Sequence, residues 1–229
     1  MANKLRITGV ILVVIGIIAV GASAYAYVKV QDGAAALQGF SDAQNVTLSY
    51  NADGQLVDRG TTDGADAILA LLRDEWMWPV NDGELDPNDP VVDTATEYMY
   101  QMATIAFHVL HGTQSVTLDE TVEYDANRDG EITQDEIFAA GTYEVPVDGK
   151  YWSDFDRQHP LEGPTRAAAW TGTVHGLFAE LGVGATTASS LQLGLGIAAV
   201  TFLMGLGFLV GGGGLIWAGM GKKEDAAAA

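Results

Sequence analysis

The sequence predicts a membrane protein in which two transmembrane α-helices flank a mainly α extracytoplasmic domain with a few short strands. Three observations carry this. Ile7 to Val28 is 22 residues without a charge, Leu181 to Gly221 is a longer uncharged stretch whose apolar part runs from about Leu193 to Met220, and the segment between them is strongly acidic. As a helix, either apolar segment is long enough to cross a hydrocarbon core of roughly 30 Å. The expected boundaries are a cytoplasmic N-terminus over 1–6, a first span over 7–28, an extracytoplasmic domain over 29–190, a second span over 191–220 and a cytoplasmic tail over 221–229.

A cleaved signal peptide competes for the first segment, because Lys4 and Arg6 precede the apolar run and Ala22-Ser23-Ala24 imitates a cleavage site. The run continues past that point, which favours a retained helix. Orientation follows from the cations. Lys4 and Arg6 stand before the first span and Lys222 and Lys223 after the second, so both termini are expected in the cytoplasm and the middle outside a bacterial plasma membrane.

Residues 31–190 hold 6 Lys and Arg against 28 Asp and Glu, a net of −22 in a chain of net −19. That field disfavours nucleic acid and anionic substrates. The chain has no cysteine, so the domain is held without disulfides and thiolate chemistry is excluded.

Along the domain, Val46 to Asp58 predicts a small hairpin around Asp53-Gly54. Ala65 to Trp76 predicts a helix, with Ile68, Leu69, Leu71 and Leu72 at helical spacing and Pro79 ending it. Asn81 to Pro90 reads as a loop whose Asp82, Glu84, Asp86 and Asp89 match no established ligand pattern. Val91 to Leu110 predicts the longest external helix, with Tyr98, Met102, Ile105 and Val109 on its buried face. Val116, Leu118, Val122 and Tyr124 alternate as in a strand. Gln134 to Ala140 predicts about two turns of helix, limited by Gly141 and Pro146. Thr165 to Leu181 predicts a last helix that leads through a Gly/Thr/Ser-rich joint into the second span. No internal repeat is read.

The one strong chemical signal is Asp125 to Glu136, Asp-Ala-Asn-Arg-Asp-Gly-Glu-Ile-Thr-Gln-Asp-Glu. It resembles the calcium loop of EF-hand proteins over those residues and no further. The resemblance implies side-chain oxygens from Asp125, Asn127 and Asp129, the backbone carbonyl of Glu131, a hydroxyl or bridging water at Thr133 and a bidentate Glu136, with Gly130 at the sharp turn and Ile132 as apolar anchor. The alternative is an acidic surface turn. A lone loop entered from a strand is not built to open as a calcium sensor, so a structural Ca2+ is expected.

His108 and His111 lie three apart on a predicted helix, and with His159 and His175 they supply the other metal-site reading. Nothing fixes a third ligand, and neither a nucleophile elbow nor a phosphate-cradling loop is present. Neither span holds a charge, so no proton or ion path is expected within this chain. Gly9, Gly16 and Gly21 with Ala19 and Ser23 line the first span. In the second, Gly207, Gly211 and Gly214 permit another backbone to approach, either within the hairpin or from a larger complex.

The whole arrangement is similar to uncharacterised two-span membrane proteins of actinobacteria, some designated aromatic ring-opening dioxygenases. The likeness rests on Met-Ala-Asn-Lys-Leu-Arg before the first span, on Val147-Asp148-Gly149-Lys150-Tyr151-Trp152 and on the glycine-rich final helix. The designation implies iron held by two histidines and a carboxylate, and no such triad is recognisable, so that activity is not carried over. The expected function is a non-catalytic accessory or scaffolding subunit of a membrane protein complex, such as a respiratory or transport assembly, with a calcium-stabilised outer domain. The rival is a membrane-anchored metalloenzyme with a site assembled from His108, His111, His159 and the 81–90 loop.

Overall fold

The computed structural model describes the backbone of residues 2–227 and the side chains of residues 2–220. The tail cations Lys222 and Lys223 therefore lie outside the described side chains. The chain divides into two compact units, Met1–Asn45 with Thr186–Ala229, and Val46–Ala185.

The first unit is a pair of helices. Helix α1 covers Ala2–Gln44, and the second helix belongs to α5, Gly172–Ala227. Both are long and apolar enough to cross a membrane, and they lie near the two ends of the chain. Only 17% and 11% of the residues in their most apolar windows are buried, whereas a core helix of a soluble protein is mostly buried. Ile18 is 65% exposed and Val210 77%. Helix α1 does not stop at Val28 but runs on through Lys29 to Gln44, where Lys29 pairs with Asp32 at 3.0 Å.

The two helices run antiparallel along a seam of small residues. A Cβ at Gly9 would stand 2.6 Å from the Gly212 carbonyl oxygen, and one at Gly16 would stand 2.8 Å from that of Gly205. Ser23 Oγ donates to Ala198 O at 2.7 Å. Over residues 191–220 of α5 the buried positions are Ala198, Gly205, Gly212 and Gly219, facing Gly9, Gly16 and Ser23 of α1 at the same seven-residue spacing. A period of 3.5 per turn keeps one narrow stripe on the partner helix, and a stripe without side chains lets the backbones touch. The close approach expected at Gly207, Gly211 and Gly214 is not the one that joins these two helices; the seam uses Gly205, Gly212 and Gly219. At Gly21, Gly207, Gly211, Gly213 and Gly214 an added methyl group would meet nothing within 4 Å.

The second unit is mainly helical with a few strands. The expected hairpin is present in reduced form, with a Tyr50–Leu56 bridge, Val57 N donating to Ser49 O at 2.8 Å and Gly54 at φ 75° in the turn. Helix α2, Thr62–Ala70, starts three residues before the expected Ala65 because Thr61 caps it, accepting from Gly64 N at 3.2 Å. It widens into a π-turn over Leu71–Glu75 ahead of Pro79. Helix α3, Ala95–Leu110, starts four residues after the expected Val91, where Thr94 and Glu97 form a reciprocal capping box. Helices α2 and α3 pack on each other, and Ile68, Leu72, Ala103 and Ala106 are fully buried in this core.

After α3 the chain forms one interrupted antiparallel ribbon. Strand β1, Thr113–Leu118, pairs with β4, Gly141–Pro146; nested inside them, β2, Val122–Glu123, pairs with β3, Ile137–Phe138. The expected alternation before the loop is thus realised. The expected helix over Gln134 to Ala140 is not: a single 3₁₀ turn, Gln134–Glu136, gives way to β3. Ile137 and Phe138 are taken by the ladder to β2, so their backbone groups are not available to a helix.

The expected helix over Thr165 to Leu181 is also broken. Helix α4, Glu162–Ala169, ends at Trp170, which is 3% exposed and donates Nε1 to Lys150 O at 3.1 Å. Thr171 Oγ1 then accepts from Val174 N at 3.2 Å and α5 begins. The Gly/Thr/Ser-rich joint ahead of the second span is itself helical, continuous within α5. Within the second unit Gly184 lies against the Tyr98 ring, where a Cβ would stand 2.5 Å from it, and this contact ties the start of α5 to α3.

The seam makes an asymmetric prediction. Gly16→Val forces the helices apart and costs about 1–3 kcal/mol as overpacking does elsewhere, whereas Gly21→Ala leaves the pair intact. Thermal unfolding of both variants in mild detergent checks it, with a drop for Gly16→Val alone expected.

Candidate metal centre

Asp125 to Glu136 forms the tip of the ribbon, closed at its base by Tyr124 N donating to Glu136 O at 2.9 Å. The tip curls its oxygen-bearing side chains inward by using them as acceptors for its own backbone. Asp125 accepts from Asp129 N at 3.2 Å and from Gly130 N at 2.9 Å. Asn127 Oδ1 accepts from Asp129 N at 2.9 Å, and Asp129 Oδ1 accepts from Glu131 N at 2.8 Å. Gly130 takes φ 85°, the left-handed backbone that only glycine adopts without strain, and Arg128 at φ 61° shares the bend.

Glu136 closes the tip from the other side. It is 7% exposed, accepts from Ala126 N through Oε1 at 2.9 Å, and through Oε2 accepts from Thr133 N at 2.9 Å and Thr133 Oγ1 at 3.0 Å. The Thr133 N–H, then its hydroxyl and the Ala126 N–H, hold its carboxyl below the ordinary glutamate value. Tyr124 Oη donates to Asp156, tying the ribbon to the segment before α4; that hydrogen bond raises the phenol and lowers the Asp156 carboxyl. Nothing in local sequence spacing signals this tie, which links residues 32 apart.

The six expected ligand positions therefore share one tight loop, and their donors are all oxygen, the set a hard divalent cation takes. Among the described residues no three His, Asp or Glu side chains converge closely enough to hold a metal. Of the six, Asp125, Asp129 and Glu136 would offer carboxylates. Three carboxylates brought to one point repel strongly, so convergence requires a cation to offset them. The donor chemistry and the turn at Gly130 are those expected of a calcium loop, but the carboxylates do not converge among the described residues.

The histidines are dispersed among separate partners. His108 Nε2 pairs with Asp58 Oδ1 at 3.1 Å, and His111 Nδ1 bonds the Phe107 carbonyl at 2.8 Å. His159 Nδ1 accepts from Leu161 N and Glu162 N, with its ring between Tyr124 and Phe138. His175 meets the ring of Trp152 edge-on at 4.9 Å between centroids.

The acids of the 81–90 loop are likewise used locally. Asp82 pairs with Arg73, Glu84 accepts from Thr96 N, and Asp86 accepts from Asn88 N. Burial raises Glu97 and the Tyr100 phenol in the N-terminal half of α3, and burial with the nearby Glu97 charge pushes the Tyr50 phenol of the hairpin up to about 12. Glu97 is spent on Asp93 N, Thr94 N and Thr94 Oγ1.

Comparison with protein families, curated proteins and solved structures finds no match to this chain.

The hydrogen bonds to Glu136 set a pH dependence. A carboxyl held below its unfolded value stabilises the tip fully above that value, 4.5, and the contribution is lost as pH falls through the lower folded value. In calcium-free buffer the Glu136 carboxyl is expected to titrate below 4.5, and Thr133→Val is expected to move its midpoint upward. Carboxyl-carbon NMR titration checks both.

Proposed function

We propose that the chain is a two-span accessory or scaffolding subunit of a bacterial membrane protein complex, with no catalysis of its own, whose extracytoplasmic domain carries a structural calcium ion. The observation that carries the reading is the division of glycines on α5. Gly205, Gly212 and Gly219 are consumed by the seam to α1, while Gly207, Gly211, Gly213 and Gly214 stand open. Glycine costs helix stability relative to alanine, so an open run that serves no internal contact suits close approach by a helix of another chain. A groove of about 440 Å³ lined by Ser23, Ala24, Tyr27, Leu195, Ala199 and Phe202 adds a second uncovered apolar surface on the same pair. A bilayer covers the remainder of the exposed Ile, Val and Leu.

Lys4 and Arg6 before the first span and Lys222 and Lys223 after the second support cytoplasmic termini. In the outer domain Asp125, Asn127, Asp129, Thr133 and Glu136 would hold calcium with the Glu131 carbonyl. The ion would offset the repulsion of the loop carboxylates and fix the ribbon tip. The separate engagement of the four histidines gives the metalloenzyme reading no geometric support.

Two outcomes are expected. Gly211→Leu, measured by mild-detergent pull-down through a C-terminal tag and native gel, removes a stoichiometric membrane partner without lowering the thermal midpoint of the isolated chain; an unchanged complex, or none in the wild type, sinks the scaffold reading. Glu136→Gln lowers calcium affinity and removes the calcium-dependent rise in thermal midpoint while insertion is unchanged. Equal melting of mutant and wild type in calcium and in chelator sinks the structural-ion reading.

A further inference from the structure

The start of a helix leaves its first N–H groups without partners inside the helix, and these must be met from outside. At α4 the requirement falls on one residue. Leu161, which stands at the N-cap, has no side-chain acceptor and makes no capping bond, and Pro164 has no N–H to satisfy. The N–H groups that remain all go to His159. Its ring nitrogen Nδ1 accepts from Leu161 N at 3.1 Å and from Glu162 N at 3.2 Å, and its carbonyl oxygen accepts from Gly163 N at 3.1 Å.

The two bonds to the ring fix its protonation. Both partners are donors, so Nδ1 carries a lone pair and the proton of the neutral imidazole sits on Nε2. A second proton can only go to Nδ1, where it faces two N–H groups and the positive end of a helix. This separates His159 from the histidines of α3, since His108 faces the Asp58 carboxylate and His111 Nδ1 the Phe107 carbonyl, acceptors that an imidazolium suits. His175 meets only the rings of Trp152 and Trp170.

The same half-buried ring is wedged against the base of the ribbon. It meets Tyr124, next to β2, edge-on at 5.2 Å between centroids and Phe138 of β3 at 4.9 Å. The charged groups around it are held on other donors and acceptors. Asp156 accepts from Tyr124 Oη and Gln158 N, and Glu162 accepts from Lys150 Nζ at 2.7 Å and Asp156 N at 2.8 Å. Arg128 reaches Gln158 from the ribbon tip, and Arg157 precedes His159 by two residues. The carboxylates favour an imidazolium and the cations oppose it, but the direct contacts of Nδ1 are with N–H groups, and these decide.

We propose that His159 is an acid-sensitive latch. As a neutral imidazole it caps α4 and joins that helix to the ribbon base; on protonation it gives up Leu161 N and Glu162 N and frees the first turn of α4. Histidine ordinarily changes charge at about pH 6.5, well above the value of 4.5 below which Glu136 titrates. The cap is therefore complete in neutral buffer and is lost as pH falls, while the loop carboxylate stays ionised. The latch requires neither the calcium ion nor a membrane partner.

The test is amide exchange by NMR in the full-length protein, in neutral detergent without calcium, at about pH 7.5 and about pH 5.5, corrected for the intrinsic rate at each pH. Protection of Leu161, Glu162 and Gly163 is expected to fall about tenfold at the lower pH relative to Ile68 and Leu72 of the core. Ring-nitrogen shifts are expected to show Nδ1 unprotonated at the higher pH. His159→Asn, whose side-chain oxygen takes the place of Nδ1 and does not titrate, is expected to hold the same protection at both pH values, and His111→Asn to leave the wild-type fall unchanged. Equal protection of the wild type at both pH values, an equal fall in the core amides, a fall that persists in His159→Asn, or a proton on Nδ1 of the neutral ring overturns the proposal.

Discussion

The contact on which the helix pair depends is a backbone contact. At Gly9 against Gly212 and Gly16 against Gly205 a single added carbon would stand under 3 Å from a carbonyl oxygen, so the two helices meet only because neither carries a side chain there. Among apolar helices no hydrophobic force distinguishes a partner helix from lipid, and association rests on close packing and on hydrogen bonds such as Ser23 Oγ to Ala198 O. The seven-residue spacing does the rest. It holds the small stripe on one line and leaves the apolar surface away from it uncovered, which is why Ile17, Ile18, Val200 and Leu203 are so exposed.

In the second unit the governing problem is the reverse, an excess of charge rather than of apolar surface. It is handled by local hydrogen bonding more than by ion pairs. Thr94 and Glu97 close a capping box at the start of α3, and Thr133 and Glu136 close another at the ribbon tip. Asp86, Asp125, Asp129 and Asp156 each accept from backbone N–H groups within a few residues. A carboxylate satisfied by its own turn needs no distant cation, so an acidic segment can fold with few basic residues.

Much of this is legible in the sequence. The two apolar helices, the mainly helical middle with a few strands and the alternation of Val116, Leu118, Val122 and Tyr124 follow from periodicity that one face of burial imposes. What is not legible is instructive. The pattern Thr-x-x-Glu occurs three times: at Thr117 it lies at the end of strand β1, while at Thr94 and Thr133 it forms a capping box, the first opening a helix of 16 residues and the second a single turn. A cap announces a start and not a length. After Glu97 the backbone is free to continue, whereas after Glu136 it is claimed by Val122 and Glu123, a pairing no local window contains. Likewise the helix expected over 165–181 breaks because Trp170 is drawn to the Lys150 carbonyl, a tertiary contact that overrides propensity. The glycines are visible, but their division between seam and open face depends on helical phase relative to a partner helix.

Glu136 shows how the loop's own hydrogen bonding bears on the calcium role proposed for it. Its carboxylate is already the acceptor that holds Thr133 and Ala126, and those bonds favour the ionised form. A cation also requires the ionised form, so the two demands act on the same protonation state rather than against each other. Each carboxylate oxygen retains lone pairs beyond the N–H bonds it accepts, so these bonds alone do not exhaust the group as a ligand. The ribbon base, through β2 with β3, and the tie from Tyr124 to Asp156 hold the loop from two sides without an ion. Calcium in such a setting would draw the carboxylates together on a backbone turn that is already bent, which suits a structural ion better than a switch that must rearrange helices to report its binding.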